Sequence, residues 1–230
     1  MSKDSFSFKQ FTIRQERCAM KVGTDGVLLG AWACTKPADS PLHILDVGTG
    51  TGLIALFLAQ RFHNAVIDAI DIDDDAVEQA RENFATSPFA ERLTVRKAYL
   101  QDEDGDMTYD LIVCNPPFFV NSLTCPDTKR TMARHAKTLT LAELARKSSR
   151  LLKDSGTLAV ILPSESKTTM ESEAIFNGLT IQRICRVKTK KAKNEKRVMM
   201  ELGIMADNMS DEILIIGDDN YATLTGDFYL

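Results

Sequence analysis

The stretch Leu42-His-Ile-Leu-Asp46-Val-Gly48-Thr49-Gly50-Thr51-Gly52 decides the fold. Leu42 to Val47 is an apolar run of strand length. From about Leu53 to Phe62 the residues Ile54, Phe57, Leu58 and Arg61 fall on one side of a helix, with Arg61 long enough to snorkel to water. Between strand and helix, three glycines alternate as G-x-G-x-G. Lacking Cβ atoms, they let the backbone turn tightly and let a ligand approach closely. The spacing differs from the G-x-G-x-x-G fingerprint of dinucleotide-binding loops. A strand, a glycine loop and a helix in this order predict an α/β sheet that binds its ligand at strand ends.

Downstream the unit repeats. A strand from Val66 to Ile70 ends at Asp71, nineteen residues past Gly52. An acid there matches the carboxylate that accepts ribose hydroxyls in doubly wound nucleotide folds. Asp73 to Asp75 cap and charge the next helix, Ala76 to Phe84. A third strand, Leu93 to Ala98, leads to Tyr99, Gln101 and Asp102. A fourth, Leu111 to Cys114, stops at Asn115 because Pro116 and Pro117 cannot continue the ladder. An amide therefore sits at a strand's carboxyl end on a stiff turn, with Phe118 and Phe119 beside it. Asn115 offers an amide oxygen and Pro116 a carbonyl, both acceptors for an NH2 group. Phe118 offers a flat face for stacking. Together they suit a planar ring carrying an exocyclic amine.

Upstream, residues 6–20 alternate aromatic and polar, with Phe6, Phe8, Phe11 and Ile13, and predict extended structure or a small hairpin. Thr24 or Asp25 can cap a helix over Val27, Leu28, Ala31 and Trp32. That helix's free N–H groups and the Thr24 hydroxyl can face an anion. Beyond Asn115, residues 119–137 read as a long loop carrying Arg130, Arg134, His135 and Lys137. Helices follow at Leu139 to Leu152 and Glu165 to Phe176, with a buried strand at Gly156 to Leu162 between them. Thr180 to Val187 and Val198 to Ala206 read as a strand pair, and Glu212 to Ile216 as a final strand. The link between the pair is dense in cations: Arg186, Lys188, Lys190, Lys191, Lys193, Lys196 and Arg197, against one acid, Glu195.

The chain has 230 residues, enough for one full core, and its 44% apolar and 26% charged content is that of a globular protein. Its net charge of −4 means that any nucleic-acid surface must be a local basic patch. Such a patch exists at 186–197. The five cysteines are odd in number and scattered, without a C-x-x-C, and the three histidines are far apart. That pattern argues against a zinc site or disulfide framework and for a reducing cytoplasm. The polar N-terminus reads as no signal peptide, and no run approaches a membrane span, so neither metal nor membrane is expected.

These motifs carry a resemblance. Asp46 with the glycine loop resembles the S-adenosyl-L-methionine loop of class I methyltransferases, and Asn115-Pro-Pro-Phe118 resembles the motif of amino-group methyltransferases. Cys18-Ala-Met-Lys-Val-Gly-Thr-Asp-Gly-Val-Leu-Leu-Gly-Ala-Trp32 and the terminal Phe228-Tyr-Leu230 narrow it. From about Phe6 to Leu230 the chain resembles the bacterial family that methylates N6 of adenosine 37 in one valine tRNA.

The resemblance implies a doubly wound, Rossmann-like sheet of seven strands, the last antiparallel, with a short N-terminal extension. It divides the chain into an extension and cofactor-contacting helix at 1–35 and a methyltransferase domain at 36–230. It implies catalysis by Asn115, Pro116, Pro117 and Phe118. The cofactor falls to Thr24, Asp25, Asp46, Gly48, Gly50, Gly52 and Asp71. Many relatives hold the cofactor adenine with an acid right after the third strand. Tyr99 stands nearest here, so Gln101 or Asp102 takes that role. Charge alone assigns Arg130, Arg134, Lys188, Lys190, Lys191, Lys193, Lys196 and Arg197 to tRNA phosphates, and the resemblance implies the anticodon loop of tRNA as the partner. The other readings are a protein glutamine or DNA adenine methyltransferase, and a non-catalytic nucleic-acid-binding protein on the same fold.

Overall fold

The computed structural model describes residues 4–18, 20–116, 139–205 and 209–230. Its strands are β1 (Ser5–Ser7), β2 (Thr12–Arg14), β3 (His43–Val47), β4 (Val66–Asp71), β5 (Leu93–Lys97), β6 (Tyr109–Cys114), β7 (Leu152–Pro163), β8 (Thr180–Lys188), β9 (Arg197–Gly203) and β10 (Ser210–Ile215). Its α-helices are α1 (Thr24–Trp32), α2 (Leu53–Arg61), α3 (Asp74–Ala85), α4 (Leu141–Leu151), α5 (Lys167–Phe176) and α6 (Asp219–Thr225).

β1 and β2 form a small antiparallel hairpin, and the other eight strands form one sheet in the order β10-β8-β9-β7-β6-β3-β4-β5. The chain enters at β3, steps outward through β4 and β5, then returns to β6 on the other side of β3. The strand order thus reverses between β3 and β6, and a crevice opens at their carboxyl ends. Apolar residues of α1, α2 and α3 pack on one face of the sheet, and those of α4 and α5 on the other. β3 to β9 are the seven expected strands, with β9 antiparallel to both neighbours. β10 adds an eighth, parallel to β8. Side chains pin it there: Arg186 donates to Asp211, and the Trp32 indole N–H donates to Glu212 at 2.7 Å.

The residues before β3 share the main core. Phe8 meets Phe57 edge-on at 5.0 Å, and Phe57 stacks on Phe228 at 4.0 Å, so both chain ends close over α2. α1 lies tightly on α2 through Gly26 and Gly30. A Cβ on Gly30 would stand 2.7 Å from the Phe57 Cβ. Arg61 does not snorkel. Its guanidinium donates to the carbonyls of Gly30, Ala33 and Cys34, which α1 leaves without helical partners. The negative end of the helix dipole makes that place better for a cation than the edge of α2.

Candidate active site

Strand register lines up the key residues. Val47 of β3 pairs with Ile70 of β4 and with Cys114 of β6. The next residue on each strand is Gly48, Asp71 and Asn115. These three therefore leave neighbouring strands at one level, within a span of about 10 Å, two strand spacings. The sequence motifs, far apart in the chain, become one row across the crevice.

The glycine loop follows from backbone need. Gly48, Gly50 and Gly52 have φ of 70, 56 and 81°, the left-handed region that residues with a Cβ rarely adopt. A Cβ on Gly52 would lie 2.4 Å from the Phe84 ring, so that glycine serves packing. A Cβ on Gly48 or Gly50 would meet nothing within 4 Å among the described residues. These two glycines leave an open cradle over their backbone.

Asp46 is wholly buried. Its Oδ2 accepts from the Thr49 hydroxyl at 2.6 Å and from the Ala55 N–H at 3.2 Å. It holds the loop from within instead of facing the cradle. Its Oδ1 is buried without a partner among the described residues. Burial, with a smaller contribution from Asp71, pushes its carboxyl up to about 7. Asp71 accepts from the Gly50 N–H at 2.9 Å and the Asp73 N–H at 3.0 Å. A carboxylate has about four lone-pair sites, so acceptor capacity remains for a hydroxyl. Asp73 caps α3 by accepting from the Asp75 N–H, as the acidic run predicts.

Asn115 lies just past β6 with its Oδ1 buried and unpartnered among the described residues. Pro116 is buried beside it. A buried acceptor without a donor is costly, and an amine is the group that would satisfy it. Pro117, Phe118, Arg130 and Arg134 lie outside the described residues, as does the predicted loop at 119–137.

Two readings of α1 change. Neither Thr24 nor Asp25 caps it. The N-cap is Gly23, extended and without a side-chain cap bond, and Thr24 and Asp25 are the first helical residues. The Asp25 carboxylate is drawn off by Arg197, whose Nε donates to it at 2.8 Å. Arg197, read from charge alone as a phosphate contact, is thus engaged in an internal ion pair. Lys190, Lys191, Lys193 and Lys196 are exposed on the β8–β9 turn, and Lys188 is half-buried. Because β9 runs antiparallel, with Arg197 opposite Pro163 at the end of β7, this turn projects from the same sheet edge as Asn115. Ser164 anchors it by donating to the Glu195 and Lys196 carbonyls. Gln101 and Asp102 lie in a 3-10 turn after β5, with Gln101 hydrogen-bonded to Glu143 and Asp102 exposed.

The sequence reading missed Asn83. Its side-chain amide donates to the carbonyls of Arg14 and Thr51, both at 2.8 Å, and accepts from the Arg14 N–H. It ties the N-terminal hairpin to the glycine loop. Gln79, one turn earlier on α3, accepts from the Arg17 N–H. Two amides at i and i+4 on the apolar side of an amphipathic helix were the available signal. The thiol of Cys18, pushed up to about 11 by burial and then by Asp71, Asp73 and Asp75, marks how this segment flanks Asp71. Among the described residues there is no group of three His, Cys, Asp or Glu that could hold a metal, and no helix long and apolar enough to cross a membrane.

The model of the methyltransferase small domain family matches residues 34–186. The tRNA1(Val) (adenine(37)-N6)-methyltransferase of Parabacteroides distasonis is 50% identical over 204 residues, covering 88% of this chain and 84% of that protein. The protein of the same name from Phocaeicola vulgatus is 44% identical over 236 residues, covering 100% and 99%. In fold, the chain is similar to the crystal structure of a predicted O-methyltransferase from Agrobacterium tumefaciens, with a TM-score of 0.69 at 16% identity, covering 89% and 96% of the two chains. The family match and the two relatives, 50% and 44% identical over at least 84% of their own length, show that the chain belongs to the tRNA1(Val) (adenine(37)-N6)-methyltransferase family.

Proposed function

We propose that the protein methylates N6 of adenine in tRNA, at position 37 of a valine tRNA, using S-adenosyl-L-methionine in the cytoplasm. The observation that carries this reading is the Asn115 Oδ1, buried and without a partner among the described residues, at the level of the glycine loop. The cradle over Gly48 and Gly50 fits a cofactor lying against backbone. Asp71 would accept its ribose hydroxyls, Asp46 supports the loop, and Gln101 or Asp102 would face its adenine. Thr24 at the start of α1 would face its carboxylate. Bound there, the cofactor supplies an electrophilic methyl group on a sulfonium.

The chain's own residues answer the difficulty of the amine. An adenine N6 lone pair is delocalised into the ring and attacks poorly. Asn115 Oδ1 and the Pro116 carbonyl accept its two hydrogens and favour a pyramidal nitrogen. As N6 becomes cationic, these fixed acceptor dipoles stabilise it, and the methylated nitrogen, now strongly acidic, gives its extra proton to water. No strong general base is needed, and orientation supplies much of the rate. Pro117 and Phe118 are assigned to the same catalytic motif by the resemblance, with stacking on the base as the role of Phe118. An unpaired base in an anticodon loop leaves its stack at less cost than one in a duplex.

The test is a valine tRNA transcript incubated with protein and cofactor, digested, and read by mass spectrometry. N6-methyladenosine is expected, and a transcript with guanine at position 37 stays unmodified. Methyl groups found only on protein glutamine or on DNA adenine would move the activity to those substrates.

Two further outcomes follow from the site. Asp71→Ala weakens cofactor binding by roughly 1.5–3 kcal/mol, the scale of hydrogen bonds to a charged group, as calorimetry can read. The lysines of the β8–β9 turn, with Arg130 and Arg134, are assigned to tRNA phosphates. Neutralising Lys190, Lys191 and Lys193 together weakens tRNA binding without changing the methylated base. Each lost phosphate contact flattens the log–log salt dependence by up to about 0.7–0.9. Identical slopes for wild type and triple variant would make the turn merely solvated.

A further inference from the structure

Arg197 stands in the dense basic run, yet its geometry separates it from the lysines. Its Nε reaches Asp25, 172 positions away in the sequence, at 2.8 Å. Both side chains are about two-thirds buried, at 34% and 27% exposed. Asp25 is the second residue of α1, and the next residue, Gly26, abuts Leu53: a Cβ there would lie 3.0 Å from the Leu53 side chain. Leu53 directly follows Gly52. The first turn of α1 therefore packs against the residue that follows the glycine loop, and Arg197, at the start of β9, reaches it from the side of β3 away from β4 and Asp71.

This place poses an electrostatic problem. Asp25 alone would set a full negative charge next to the place assigned to the cofactor's carboxylate. Like charges in a partly buried site repel strongly. We infer that Arg197 is a positioning residue of the cofactor site: it neutralises Asp25 so that the carboxylate of the cofactor's amino-acid end can bind beside α1. The inference rests on the cofactor reading above and deepens it. It removes Arg197 from the phosphate-binding set and leaves the exposed lysines there.

The test uses two nucleosides, S-adenosylhomocysteine, which carries the amino-acid end, and methylthioadenosine, which lacks it. Calorimetric titration of Arg197→Gln is expected to show S-adenosylhomocysteine binding weakened by about tenfold, on the order of the repulsion between two nearby, solvent-screened unit charges. Methylthioadenosine binding stays at the wild-type value and reports an intact fold. Arg197→Lys keeps the charge and keeps most of the affinity. The double variant Asp25→Asn/Arg197→Gln regains S-adenosylhomocysteine binding, because the charge that needed neutralising is gone. A merely structural ion pair, broken in Arg197→Gln, weakens binding of both nucleosides alike. Equal losses for both nucleosides, or a double variant no better than Arg197→Gln, overturns the inference. So does unchanged S-adenosylhomocysteine binding with weakened tRNA binding, which makes Arg197 a phosphate contact. Wild-type protein that binds neither nucleoside overturns the cofactor reading itself, and this inference with it.

Discussion

Asn115→Ala lowers the turnover number for tRNA methylation by about 10²–10³, the usual loss on removing one preorganised dipole from a site of developing charge. S-adenosylmethionine affinity stays near the wild-type value. The asymmetry follows from position. Asn115 closes β6, whereas the glycine cradle and Asp71 close β3 and β4. Its buried Oδ1 has no partner among the described residues. What is lost is an acceptor for the amine as it becomes cationic. Single-turnover kinetics beside a cofactor titration checks this. Comparable losses in turnover and cofactor affinity would transfer Asn115 to the cofactor site.

Asp46→Asn is expected to remove a pH dependence of stability on the order of a few kcal/mol. Burial raises the folded-state carboxyl from its ordinary 3.8 to about 7. The folded protein therefore holds the Asp46 proton more tightly than the unfolded chain does. That contribution to stability is fully present below about pH 4 and disappears as pH rises through 7. The groups facing the carboxyl are the Thr49 hydroxyl and Ala55 N–H, with Asp71 and the buried Cys114 thiol near enough to interact with it. Carboxyls held low elsewhere, such as Asp68 and Asp110, act in the opposite direction and at lower pH. Urea unfolding of wild type and Asp46→Asn between pH 4 and 8 isolates the effect as a difference. Parallel stability curves would mean that the Asp46 carboxyl ionises at the same pH folded and unfolded.

Much of this protein was legible in the chain itself. Apolar runs of strand length followed by glycine, aspartate or Asn-Pro-Pro mark β3, β4 and β6 and their carboxyl ends. These signals are local, because Gly φ values, proline's missing donor and strand burial depend on neighbours in the sequence. The three site motifs and the family resemblance follow from them. Tertiary structure alone decided what depends on register and on long-range charge. Nothing local says that Val47, Ile70 and Cys114 share a level, and so that Gly48, Asp71 and Asn115 form one row. The Arg61 side chain looked like a snorkelling edge residue until α1 offered it three carbonyls. Seven cations from Arg186 to Arg197 look alike in the sequence. The fold divides them, because Asp211 takes Arg186 and Asp25 takes Arg197, while four lysines remain exposed on the turn. A charge announces itself in sequence, but its partner is chosen by packing between elements far apart in the chain.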